Sequence, residues 1–97
     1  MHKTPAVRSR MAQRLFTNIA EYAEDPVGTR NEKAGPVTGH KGLYEARASH
    51  AGMIFRMFFD FDGAQPRALC AFQKKSQSLP QKHVDHAMER SKQNRRS

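Results

Sequence analysis

A single cysteine, Cys70, is the whole thiol inventory of the 97-residue chain. No intramolecular disulfide can form, and a reducing cytoplasmic compartment is the expectation. Tryptophan is absent and hydrophobic residues make up only 37% of the chain, so the core is limited to what one thin sheet packed by one or two helices can bury. No apolar run approaches the roughly 20 residues that a bilayer-spanning helix needs. The opening Met1-His2-Lys3-Thr4-Pro5 lacks the apolar stretch of a secretory leader, and no contact with a membrane is expected. Gly39-His40-Lys41-Gly42 lacks the spacing of a phosphate-cradling loop, which argues against that class of nucleotide-binding protein. Acids are the last shortage: none occurs in residues 1–20 or 63–84.

What is abundant is positive charge. Lysine and arginine number 17 against 9 acids, a net charge of +8, and the acid-free blocks concentrate it. Such an excess steers a small domain toward polyanions, above all nucleic acid or the ribosome. A merely solubilising basic surface is the plainer alternative.

The periodicities predict a single α+β domain over residues 1–97. Met11, Leu15 and Ile19 recur at helical spacing, giving a helix over about 6–23 that Glu24-Asp25-Pro26 ends. Arg8 and Arg10 occupy its first turns, where the helix dipole prefers acids. Residues 25–42 read as a glycine-punctuated polar loop, too long for a compact domain to carry without purpose. The period then changes to two, with strands over about 43–50, 53–61 and 67–73 and a hairpin turn at Asp62-Gly63. The expected product is a three-stranded antiparallel meander followed by a helix over about 80–94, opened by Pro80 and apolar along Val84, Ala87, Met88 and Ser91. In the central strand Met53, Phe55, Met57, Phe59 and Phe61 share one face, which is read as the core. Arg56 lies on the opposite face, so its head is expected outside the core.

Few residues offer chemistry. His83 and His86 are three apart on a helix, but Asp85 and Glu89 point elsewhere and no cysteine pair assists, so neither metal nor cofactor is expected. Cys70 sits in the apolar run Ala68-Leu69-Cys70-Ala71-Phe72 and reads as a small hydrophobe rather than a nucleophile. The basic constellation remains. Arg47 and Arg56 stand on strands joined by a tight turn, and Lys74-Lys75 closes the third strand. All can converge on one sheet face near Tyr44 and Phe72. Cations there bind phosphates and the rings stack on splayed bases; a solvated basic face fits the same pattern.

Gly42-Leu43-Tyr44-Glu45-Ala46-Arg47, then Phe55-Arg56 and Phe58-Phe59, then Ala71-Phe72-Gln73-Lys74-Lys75-Ser76-Gln77, and last Pro80 leading into Ala87-Met88-Glu89-Arg90 resemble the phage-type HigB-like toxins of the RelE/ParE superfamily. The likeness covers about residues 28–94 in matching order. It implies helices packed on a twisted antiparallel sheet, and the toxin of a type II toxin–antitoxin pair that cleaves mRNA on the ribosome without a metal. A helix-turn-helix antitoxin is the implied protein partner. On this likeness Arg47, Arg56, Lys74 and Lys75 are the catalytic candidates, while Tyr44, Phe72, Ser76, Gln77 and Arg90 are candidates for contact with RNA. Glu45 and His50 are lesser acid–base candidates, Glu45 being expected to pair with a neighbouring arginine. The rival readings are a gyrase-type poison, a plain RNA-binding module and a degenerate phage relative without catalysis. Ser78-Leu79 replaces the family's Lys-Thr before the proline, removing a helix cap. The family's first strand and helix have no counterpart here: the alternatives are a truncated relative, the product of a misplaced start, and a minimal form whose exposed sheet edge invites a homodimer.

Overall fold

The structure is a computed structural model that describes residues 4–74 and 81–96. Helix α1 (Thr4–Glu24) precedes four strands, β1 (Ala34–Pro36), β2 (Tyr44–His50), β3 (Met53–Asp62) and β4 (Gln65–Lys74), and helix α2 (Gln81–Arg96) follows. The strands form one antiparallel sheet in the order β1-β2-β3-β4. The fold is the expected α+β class with one strand more than the meander. That strand, β1, lies inside the stretch read as loop: Ala34-Gly35-Pro36 pairs with Tyr44–Ala46. It carries no alternation to announce it, and its proline is tolerated because the strand is an edge.

The turns follow their residues. In the β2–β3 hairpin Ala51 and Gly52 have φ of 50° and 80°, the positive values that a two-residue loop needs to match strand twist. Gly63 opens the β3–β4 loop at φ 62°. After α1, the Asp25 carboxylate accepts the Gly28 amide at 2.9 Å. A Cβ on Gly28 would lie 2.1 Å from that carboxylate, so a larger residue there would displace the Asp25 side chain and its hydrogen bond.

The sheet is covered on both sides. Met11, Leu15, Ile19 and Tyr22 of α1 pack on Ala46, Phe55, Met57 and Phe59. On the other side Val84 and Ala87 of α2, with Met88 beside them, meet Phe58, Leu69 and Leu43, as the spacing in α2 predicts. A bulge supports this second layer. Phe58 pairs with Cys70 and Phe59 with Ala68, so Leu69 is the extra residue, and both Leu69 and Cys70 serve the α2 side. Beside them Asp60, 2% exposed, accepts both arms of Arg67 at 3.0 Å and the Ser91 hydroxyl of α2.

Two-sided burial corrects the reading of β3. Phe55 through Asp60 are all buried, and Arg56 is 4% exposed. Its face is not a solvent face: it also carries Phe58, on which α2 packs, and the Arg56 head pairs with the buried Glu45. No helix among the described residues is long and apolar enough to cross a membrane.

Candidate nucleic-acid interface

Helix α2 covers only part of its face of the sheet. At its margin the register aligns Arg47 of β2, Arg56 of β3 and Phe72 of β4 in one transverse row. Directly paired residues of an antiparallel sheet project to the same face, so these side chains share it. Glu45, one row nearer α2, ties the cations together. Its carboxylate accepts Arg47 Nε at 2.7 Å and Arg56 Nη1 at 3.3 Å. Arg47 also donates to the carbonyl of Asn31 in the segment before β1. The expected pairing of Glu45 with an arginine is present, doubled, and a carboxylate bound to two guanidiniums is a poor general base.

The three groups differ in access. The Glu45 and Arg56 side chains are each 5% exposed, whereas that of Arg47 is 35% exposed. One carboxylate faces two guanidiniums, so the cluster keeps an excess positive charge, and Arg47 is the member that offers it to solvent. A depression of about 420 Å³ lies there, lined by Arg47, Ser49, Ile54 and Arg56 with Glu32 at its rim.

Phe72 carries a partner that the sequence did not single out for this site. The imidazole of His83 on α2 stacks on its ring with centroids 4.3 Å apart and planes 4° apart. His83 Nδ1 lies 3.8 Å from the Cys70 sulfur. The phenyl–imidazole pair puts a flat aromatic stack beside the arginine row. The only sequence signal was a histidine one turn into the last helix. Cys70 is itself poorly suited to nucleophilic work: burial pushes its thiol above the ordinary value of 9.0, and Arg90 pulls it only partly back.

Other candidates lie apart from the row or outside the described residues. Tyr44 projects to the α1 side, where its ring is 5.6 Å from Tyr22 and 5.1 Å from Phe61. It packs in the core cluster and does not join the cations, a correction to the expected convergence. Arg90 donates from α2 to the Leu69 carbonyl at 2.9 Å and so fastens the helix to the bulge. His50 closes β2 opposite Met53. Lys74 ends β4 opposite Ile54, while Lys75, Ser76 and Gln77 lie outside the described residues. No group of His, Cys, Asp and Glu among the described residues could hold a metal ion.

No curated protein and no solved structure matches the chain. A family model described as phage-derived protein Gp49-like (DUF891) matches residues 6–92, a span that starts in α1, takes in the whole sheet and the arginine row, and ends in α2. The chain therefore belongs to the phage-derived Gp49-like family, part of the toxin-like group of toxin–antitoxin proteins.

Proposed function

We propose that the chain is the toxin of a type II toxin–antitoxin pair and acts as a metal-independent endoribonuclease on mRNA at the ribosome. The observation that carries this reading is the row Arg47–Arg56–Phe72, where two guanidiniums share one carboxylate beside a half-buried aromatic ring that His83 of α2 covers on one face. Such a row suits a phosphate flanked by an unstacked base.

RNA cleavage of this kind joins the 2′-oxygen to phosphorus and breaks the bond to the 5′-oxygen. The nucleophile gives up a proton and the leaving oxygen takes one. Between the two, charge builds on a pentavalent phosphorane, and fixed cations stabilise it best because they need no reorganisation. Arg47 is placed to meet that charge. Arg56 is the positioning group behind it: buried against Glu45, it holds the carboxylate that aims Arg47. Phe72, with the His83 ring stacked on one face, supplies the aromatic surface. Lys74, Lys75, Ser76 and Gln77 remain proposed phosphate contacts, and a helix-turn-helix antitoxin is the proposed neutralising partner.

The test is primer-extension mapping of transcripts after brief induction, alongside reactions of the purified protein with programmed ribosomes. Discrete in-frame cuts that vanish with Arg47→Ala support the reading. Intact mRNA with damaged DNA identifies a gyrase-type poison instead. Intact mRNA, intact DNA and continued growth identify a member without catalysis.

A further inference from the structure

Helix α1 turns a flank free of carboxylates toward the far end of β2. Arg10, Gln13, Arg14 and Thr17, with Asn18 beneath them and Lys33 at the foot of β1, line a groove of about 500 Å³. Each brings a cation or a neutral hydrogen-bonding group. The nearest acid in the helix, Glu21, is occupied by Lys33 at 3.2 Å. No ion pair to Arg8, Arg10 or Arg14 is present among the described residues. The groove runs along the middle of α1, so its positive potential comes from these side chains rather than from the helix dipole.

This groove and the arginine row are neighbours across the edge of the sheet. Ala48 lines both the groove and the depression that holds Arg47 and Arg56. The two lie on opposite sides of the sheet around β2, which beyond Arg47 has no strand on its outer side among the described residues. There the carbonyls of Arg47 and Ser49 are taken instead by Asn18 at 2.8 Å and Arg14 at 3.4 Å.

We propose that the α1 groove is a second phosphate-backbone subsite, and that one single strand of RNA bends around the free end of β2 to occupy both. This rests on the proposed action on RNA. A ligand bridging two faces of one sheet must turn sharply within a few nucleotides. A double helix, stiff over roughly 50 nm in the case of DNA, resists such a turn, while a single strand makes it at little cost. An acidic protein segment is the competing occupant.

The probes are fluorescent oligoribonucleotides, one of about 12 nucleotides and one trinucleotide, titrated with the full chain across a range of salt. The double variant Arg10→Gln/Arg14→Gln is expected to bind the longer probe about tenfold more weakly. Its plot of log affinity against log salt flattens by about 1.4, the value for two lost contacts to a single strand. It binds the trinucleotide as the wild type does. Arg10→Lys/Arg14→Lys keeps the charge and keeps the wild-type slope, which separates lost contacts from a damaged fold. Arg47→Ala weakens both probes.

Unchanged binding and slope of the longer probe in the double glutamine variant overturn the α1 subsite. If Arg47→Ala still weakens binding in that case, the RNA reading survives. Equal loss of the trinucleotide in the double variant also overturns the subsite, because the arginines would then act through the first site. Polyglutamate that displaces the longer probe from the wild type, but not from the double variant, assigns the groove to an acidic protein. A wild-type chain that binds neither probe removes the RNA reading and this inference together.

Discussion

Arg56 donates to Glu45 across 3.3 Å between neighbouring strands, and each side chain is only 5% exposed. The pair sits where α2 meets the uncovered part of the sheet, with Arg47 on the carboxylate's other oxygen at 2.7 Å. A carboxylate buried on this scale has to stay paired, and loss of its buried partner costs the fold more than loss of the exposed one. The three side chains therefore act as one unit, in which the inner arginine serves the fold and the outer one faces solvent.

Arg56→Ala tests the inner half. Truncation leaves Glu45 buried with a single, partly exposed cation, and breaking a buried pair costs about 3 kcal/mol. Urea denaturation monitored by circular dichroism is expected to show a loss of that order. A loss within about 1 kcal/mol, the ordinary worth of an exposed pair, shows that Arg56 is not committed to Glu45.

Arg47→Ala tests the outer half with the opposite pattern. Its side chain is 35% exposed, so the stability loss stays within about 1 kcal/mol. Transcript cleavage is expected to fall on the order of 100-fold, the effect of removing one fixed donor from a developing charge. Lysine at the same position restores part of it, lacking the two-pronged guanidinium. A folded Arg47→Ala protein that cuts transcripts at the wild-type rate removes this residue from the site.

How much of this was legible depends on what each pattern encodes. The spacing in α1 and α2 and the alternation from Leu43 onward located both helices and the three long strands, because amphipathic periods are visible in one segment at a time. β1 was not, since Ala34-Gly35-Pro36 is too short and too small to alternate. The face of Arg56 is a second core face because Val84 and Ala87 of α2 reach Phe58 there from more distant sequence; no window around β3 contains them. Ile54 and Phe58 beside Arg56 were the local hint of a second core. The separation of Tyr44 from Arg47 was in plain view: strand residues an odd number apart project to opposite faces.

Asp60 fastens α2 to the sheet through Ser91 while Arg67 holds its carboxylate with two hydrogen bonds at 3.0 Å. Asp60→Ala leaves the Arg67 guanidinium, 24% exposed, without its partner and is expected to cost about 3 kcal/mol. Hydrogen exchange is the informative measurement, with α2 amides losing protection more than those of β2. Uniform loss across both elements shows that the helix does not depend on this anchor.

The thiol of Cys70 gives a prediction in pH. Its folded value is raised above the ordinary 9.0 by burial, against the weaker pull of Arg90. The folded state thus holds the proton more tightly than the unfolded chain. The resulting contribution is complete below about pH 9 and is lost as pH rises through the folded value. Cys70→Ala removes the pH-dependent part, so its melting temperature declines less steeply than that of the wild type in that range. Parallel decline of the two proteins from neutral to strongly alkaline pH shows that the thiol is not shielded.

Asn18 and Arg14 occupy the outward carbonyls of Arg47 and Ser49, and β1 beyond them is three residues long with a proline at its end. This side of the sheet is therefore a poor template for a further strand. Among the described residues β4 pairs only with β3, so growth by strand addition has one direction. Two copies that join through β4 use identical surfaces, and their union consumes the edge on both. Such an assembly closes at two copies and leaves outward only the short, proline-ended β1 side, from which a fibre propagates poorly.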